Sequence, residues 1–464
     1  MGKGGEGSSS VKAKSNMKIT PAEVGKHRTP GDAWMICKGK VYDVSNWMDH
    51  PGGSVIFSHA GDDFTDVFAA FHPSSAIKDL DRFCIGELDE SEIVGEEATK
   101  LAAQKSFEKG YRDLRIKLIS MGMFNADPLY YVFKVLSNVA ILAASACCAT
   151  MSSSFLVQMF GAVLMGLFWQ QSGWLAHDFL HYQVFKSRFY GDMMGILVGN
   201  IWQGFSVQWW KTKHNTHHAV PNLVASSPDA ADGDPDIDTM PILAWSVHMA
   251  EQARDSKLGR FFIKWQAFLY FPVLLVARLS WSQQSWDFVF GNTRRLATKT
   301  AEDDMKRIKY PTLEKIGLMI HYAGLLAIMF YSMPILNGIA FFLVAQTSCG
   351  LMLALVFGLG HNGMAVYPAN ERPDFWKLQV TTTRNVSSNL FTDWFCGGLQ
   401  YQVDHHLFPM LPRHNLGKVH KLVHQFCIDH NVSYHEADMW TGTVEVLTHL
   451  STVSTDFLAE FPAM

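Results

Sequence analysis

Seven histidines stand at spacings that bring imidazoles together. HDFLH places His177 and His181 at i, i+4, HNTHH places His214, His217 and His218 at i, i+3, i+4, and QVDHH adds His405 and His406. On a helix, residues three or four apart lie on one face, so each cluster presents its rings to one side. Imidazole suits iron, copper and zinc alike. A single zinc takes three or four protein ligands, so seven or more imidazoles ask for two metal ions. HDFLH is not an HExxH pattern, and the Glu and ExxH ligands of soluble di-iron bundles do not recur. Asp178 and Asp404 stand next to candidate ligands and could orient imidazoles as outer carboxylates, although exposed helix-capping acids compete with that reading. The third cluster has Gln402 where the second has His214. That glutamine is either a lost ligand, a specific mark or an accident.

A second pair of histidines suggests a different metal chemistry. DHPGG at 49–53 and FAAFHPSS at 68–75 bring His50 and His72 into one small region. Two imidazoles from separate loops can hold a haem iron from both sides and leave no open position, which suits electron transfer. Pro51 and the two glycines after it allow a sharp turn beside a porphyrin.

These residues need elements to position them. Charged residues make up 18% of the 464, aromatics 13%, and the net charge is −4. That is too apolar for an ordinary soluble enzyme and too charged for a chain lying wholly within a bilayer, so embedded and aqueous parts are both expected. The charge gives no reason to expect nucleic acid. Seven cysteines without a CxxC pair argue against a disulfide framework or a cysteine zinc site. The N-terminal 16 residues read as a basic tail without the apolar core of a signal peptide.

Residues 17–90 read as a small α+β domain. Thr20, Pro21 and Glu23 predict a short capped helix, and AWMICKGKVYDVSNW a hairpin turning at Lys38-Gly39. Residues 91–126 read as an acidic linker, LDESEIVGEEATK, followed by an amphipathic helix. Phe107, Tyr111, Leu114, Leu118 and Met121 recur on its face, and it should lie against the membrane or the rest of the chain. Residues 127–464 read as an all-α membrane domain. Segments 129–150, 155–176, 316–336 and 338–360 are each near the roughly 20 residues a spanning helix needs. They form two hairpins. Segment 265–277 is shorter, carries Pro272 and is bounded by Lys264 and Arg278, so it is expected to be interfacial or re-entrant. Parity supports that: if it spanned, the histidine clusters before and after it would face opposite sides. Four spans instead gather every cluster into a histidine-rich cap on one face.

WMICKGKVYDVSNWMDHPGG, AGDDFTDVFAAFH and IGEL together closely resemble cytochrome b5 over residues 17–90. The resemblance makes His50 and His72 the axial ligands of haem b. Boxes of the form HDxxH, HxxHH and QxxHH, in this order around two hairpins, resemble those of membrane-bound fatty acyl desaturases. The fused b5 domain and Gln402 resemble the front-end subgroup, which inserts a double bond between an existing one and the carboxyl end. Gln402 is then a subgroup mark. QWWKTKHNTHHAVPN, GDPDIDTMP, TTTRN and WFCGGLQYQVDHHLFP carry the resemblance to the C-terminus. QQSGWLAHDFLH, VFGLGHNGM and PDFWKLQVTTTRN bring it closest to microalgal Δ6 acyl desaturases. One departure is that VSSNLF follows TTTRN where that group often has a Gly-rich insertion.

The resemblance implies two iron ions held by His177, His181, His214, His217, His218, His361, His405 and His406. His361 comes from GLGHNGM at the end of the last span, with Asn362 able to help through a water. It implies O2-dependent insertion of a cis double bond at Δ6 into C18 polyunsaturated chains (linoleic, α-linolenic), carried as acyl-CoA or phospholipid. Electrons would come from NADH through cytochrome b5 reductase and the fused haem. The expected setting is the endoplasmic reticulum membrane, with the cap and haem domain cytosolic. Δ5, Δ8 and sphingolipid desaturation, hydroxylation, and a membrane-tethered haem carrier are the alternatives. Trp169, Gln170, Gln171 and Trp174 could line a substrate tunnel, as could Trp209 and Trp210, with helix packing the competing role. Lys211 and Lys213 could meet a polar head group.

Overall fold

A computed structural model describes residues 17–47, 50–227, 232–291 and 308–462. The expected basic tail and Asp49 of DHPGG lie outside the described residues.

The N-terminal part is a five-stranded sheet of β1 (Met17–Ile19), β2 (Arg28–Thr29), β3 (Asp32–Cys37), β4 (Lys40–Asp43) and β5 (Cys84–Leu88) in the order β1-β5-β4-β3-β2. Only β1 and β5 pair parallel. The hairpin β3–β4 turns at Lys38 and Gly39, at φ of 51° and 75°. Two left-handed residues match the twist of a tight hairpin. Helix α1 (Pro21–Val24) starts as its sequence predicts, with the Thr20 hydroxyl accepting from the Glu23 amide. Residues 50–83, between β4 and β5, fold back as short helices, among them α2 (Thr65–Phe71), which ends at His72. Met35, Cys37, Tyr42, Val44, Phe57 and Phe68 fill the core.

The acidic linker is shorter than its sequence suggests. Its last residues, from Gly95, already belong to helix α3 (Gly95–Ser120). The apolar face of α3 packs on protein: Phe107, Tyr111, Leu114 and Leu118 meet Trp376, Leu407, Phe408 and Phe426. The Tyr111 hydroxyl donates to the Leu407 carbonyl at 3.0 Å. Met121, expected on this face, caps the helix and is exposed.

The first hairpin is α4 (Pro128–Met151) and α5 (Phe155–Leu180). Small residues allow close crossings there. A Cβ on Gly161 would stand 2.8 Å from Cys148 Cβ, and one on Gly166 2.9 Å from the Ala345 carbonyl. Such contacts are how helices pack where lipid gives no hydrophobic drive. Helix α6 (Val207–Ala219), capped by Ser206, carries HNTHH. Helix α7 (Lys257–Phe290) follows. The second hairpin is α8 (Pro311–Ser332) and α9 (Ile335–His361), turning at Met333-Pro334 inside the segment expected to run to 336. Helices α10 (Gln402–Leu407), α11 (Arg413–Asp429) and α12 (Met439–Glu460) complete the cap.

Segment 265–277 is not a short element. It lies within the 34-residue α7, which runs on through Pro272. By length and composition α4, α7, α8 and α9 can each cross a membrane. Contacts show where the ends of α7 lie. Near its start, Gln266 donates to the Leu450 carbonyl of α12; toward its end, Lys213 of α6 donates to Gln284 and Trp281 packs on Trp209. Both ends therefore lie on the histidine side, while α5 and α9 run up from their tight turns to His177 and His361. The chain is a multi-pass membrane protein with its histidines gathered at one end of the helices.

Candidate metal and haem site

The eight histidines converge as two groups. His177, His181, His214, His218 and His405 form one, and His217, His361 and His406 the other. In the larger group the Nε2 atoms of His177 and His405 are 3.0 Å apart, those of His181 and His214 2.9 Å, and those of His214 and His218 3.1 Å. In the smaller group the Nε2 atoms of His217 and His361 are 3.2 Å apart, and the Gln402 amide stands 2.7 Å from that of His361. Gln402 thus joins the group with fewer histidines, as a fourth side chain.

Two partners fix which nitrogen points inward. His217 Nδ1 donates to Asp234 Oδ2 at 2.9 Å, and His406 Nδ1 donates to Gln379 Oε1 at 2.8 Å. Each bond turns Nε2 toward the cluster, and His406 Nε2 has no partner among the described residues. Burial, followed by the neighbouring histidines, pushes the pKa values of His214, His218, His405 and His406 well below the ordinary value. Burial also opposes charge on His217, but Asp234 and Asp236 outweigh it and carry the pKa to about 9. Neutral rings such as these four, turned on their neighbours at about 3 Å, repel unless a cation sits between them, and at His217 that cation is a proton which a metal would replace. The donor set therefore fits two metal ions, and iron is among those that imidazole suits.

The two acids that stand out in sequence do other work. Asp178 is paired with Arg413 and is 3.4 Å from His177 Nδ1, a weak contact. Asp404 faces away from the cluster, accepting from Asn385 at 2.8 Å with His420 beyond. Asp234 and Gln379 hold the imidazoles instead. Asp234 lies within GDPDIDTMP and Gln379 within PDFWKLQVTTTRN, stretches that marked the family without revealing these roles.

Among the candidate tunnel residues, Gln170 and Trp174 both donate to the Phe395 carbonyl, at 3.0 and 2.9 Å. Gln171 donates to Gln170 at 2.8 Å. They tie α5 to the loop before the third histidine box. Trp169 lies under Arg278, 3.7 Å from its guanidinium carbon. Trp210 stacks on His214 with ring centres 4.3 Å apart and meets His177 and His181 edge-on, forming a wall of the larger group. Lys213 covers Trp209. Asn362 donates to the Tyr270 hydroxyl at 3.2 Å.

In the N-terminal domain the rings of His50 and His72 face each other with centres 6.0 Å apart. His72 Nδ1 donates to the Phe68 carbonyl at 3.1 Å and His50 Nδ1 to that of Gly53 at 3.3 Å. Burial, then His50 and Arg188, push His72 down to about 4, keeping it neutral. A Cβ on Gly52 would stand 2.8 Å from the His50 ring, so only glycine leaves that approach open. A cavity of about 890 Å³ opens between these rings, walled by Val55, Phe64, Val67 and Phe68. Its apolar wall and two opposed imidazoles fit haem. The far side of the same cavity is lined by His181, Lys211 and Asn215, and Phe71 lies edge-on to His218 at 6.1 Å. Arg112 grips Asp66 through two bonds of 2.7 and 2.9 Å, and Arg372 donates to the Ser58 carbonyl at 2.7 Å. These contacts hold the small domain over the histidine cap.

Residues 153–438 match the family described as fatty acid desaturase, and residues 20–89 that described as cytochrome b5-like heme/steroid binding domain. An acyl-lipid (9-3)-desaturase of Physcomitrium patens is 38% identical, with 93% of this chain and 78% of the relative covered. A Delta(8)-fatty-acid desaturase of Euglena gracilis is 34% identical, covering 89% and 93%. A Delta(6)-fatty-acid desaturase of Caenorhabditis elegans is 33% identical, covering 87% and 92%.

Proposed function

The chain belongs to the fatty acid desaturases, with a haem-binding cytochrome b5-like domain in the same polypeptide, and on that premise we propose that it is a front-end desaturase acting at Δ6 of C18 polyunsaturated acyl chains. The observation that carries the reading is the joining of the two sites: one cavity runs from His50 and His72 to His181. Gln402 in the third box and the kinship to (9-3) and Delta(6) enzymes support the regiochemistry.

The eight histidines are proposed as ligands of two irons, with Gln402 completing the smaller group. When bound, the irons supply the O2-derived oxidant that an unactivated C–H bond requires and the haem supplies electrons singly. The chain supplies the rest. Asp234 and Gln379 hold two Nδ1 protons and turn the Nε2 atoms of His217 and His406 toward the cluster. Trp210 screens the larger group from water on one side. Phe71, next to His72 in sequence, lies edge-on to His218 and so sets the haem side of the small domain against the five-histidine group. Arg413, paired with Asp178 and bonded to the Trp174 carbonyl, locks α11 against α5 behind that group. NADH-cytochrome b5 reductase is the proposed donor, and the endoplasmic reticulum the proposed membrane, with the cap cytosolic.

Expression in yeast fed linoleic and α-linolenic acids, with double bonds located by mass spectrometry, tests this. New C18 acids unsaturated at Δ6 are expected. Products at Δ8 or Δ5 from C20 feeds alone would overturn the Δ6 assignment and favour the second reading, which the Euglena relative supports. Hydroxylated products would overturn desaturation itself.

A further inference from the structure

The haem cavity is closed on one side by the desaturase part of the chain, and that side is cationic. Arg188, Lys211 and Lys309 all line it. Asp192 pairs with both lysines, at 2.5 Å to Lys211 and 2.8 Å to Lys309. One carboxylate thus answers two ammonium groups. Arg188 has no carboxylate partner among the described residues; its guanidinium lies over the Tyr182 ring at 5.0 Å and donates to the Phe71 carbonyl at 3.4 Å. On the small domain's side, Arg82 and Asp79 also line the cavity and cancel in charge. Three cations less one anion leave an excess of two positive charges facing a pocket whose other wall is apolar.

Haem brings the complement. Its macrocycle is apolar, its iron meets His50 and His72, and its two propionates carry two negative charges at one edge. We propose that Arg188, Lys211 and Lys309 form the propionate seat, so that haem is held jointly by the small domain and the desaturase domain. The axial ligands come from one and the carboxylate partners from the other. Guanidinium suits a carboxylate through paired donors, and ammonium as a point charge. Haem then acts as a latch: loading it adds charge-assisted bonds across the joint already made by Arg112–Asp66 and Arg372. The inference rests on the haem domain and stands whatever the position of the new double bond.

The test is the haem midpoint potential of the full-length holoprotein, with the rate of haem transfer to apomyoglobin measured on the same samples. Ferric haem carries one more positive charge than ferrous, so removing a nearby cation favours the ferric form. Arg188→Gln should lower the potential and speed haem loss, while Arg188→Lys, which keeps the charge, should hold the potential near that of the parent. Lys309→Gln should lower it in the same direction. The Lys309 side chain is 55% exposed, so this variant keeps its fold and carries the test alone if Arg188→Gln does not accumulate. Unchanged potentials and unchanged haem retention in both glutamine variants would overturn the proposal.

Discussion

Asp234 and Gln379 decide the chemistry of two histidines without being histidines themselves. By accepting from the Nδ1 atoms of His217 and His406, they leave Nε2 as the only nitrogen each ring can turn inward. Partners of this kind are worth about 10–100-fold in metal affinity or activity when removed. Asp234→Asn should therefore lose iron about 10–100-fold more readily while keeping haem absorption unchanged. Iron content after dialysis against a chelator measures this, and retention equal to the parent would remove Asp234 from its assigned role. The seven histidines of the three boxes were legible in sequence because helical spacing stacks them, whereas His361 was reached only through the family resemblance. Their orienting partners were not, since Asp234 reaches back 17 positions to His217 and Gln379 comes from another segment. Adjacency misled in the case of Asp404: neighbours on a helix point about 100° apart, so an acid beside a ligand faces elsewhere.

At the scale of elements, the site depends on how closely α9 and α10 approach. A Cβ on Gly360 would meet Gln402 Cγ at 3.0 Å and Cδ at 3.1 Å. Gly360→Ala should displace the Gln402 amide while leaving all eight histidines in place, and so reproduce Gln402→Ala. Both variants should lose metal from the three-histidine group first, read as a fall from two non-haem irons per haem toward one. Equal iron content and equal turnover in both would show that the glutamine is not a ligand. Apolar length marked α4, α8 and α9 as helices able to cross, while the second turn falls at Met333-Pro334, earlier than the segment expected to run to 336. The length of helix α7 was misjudged because Pro272 and the flanking charges marked ends that the fold does not use. Arg278 is instead buried, held by Gln346 and the Gln203 carbonyl, and the helix continues past it. A buried charge looks like a boundary in sequence because its partners come from other helices.

At the scale of the molecule, the fusion changes electron delivery from an encounter into a fixed contact. A short tether alone raises the donor's effective concentration to the order of mM, but here the domain is also docked, by Arg112, Arg372 and the apolar contacts of Val220 and Leu223 with its core. Nothing in the sequence announced that joint, since its residues are two arginines and two apolar side chains spread over three segments. His50→Ala should abolish haem binding and turnover yet keep the non-haem iron, because the two sites share a cavity but no side-chain ligand. Full turnover in this variant, supported by a cell's own b5, would show that the fused domain is dispensable.

The most direct measurement is the metal content of the purified full-length protein, counted against haem. Two histidine groups and one haem pocket predict two non-haem irons for every haem iron. Haem iron alone in an iron-replete preparation, or zinc in both histidine groups of an active one, would contradict the account.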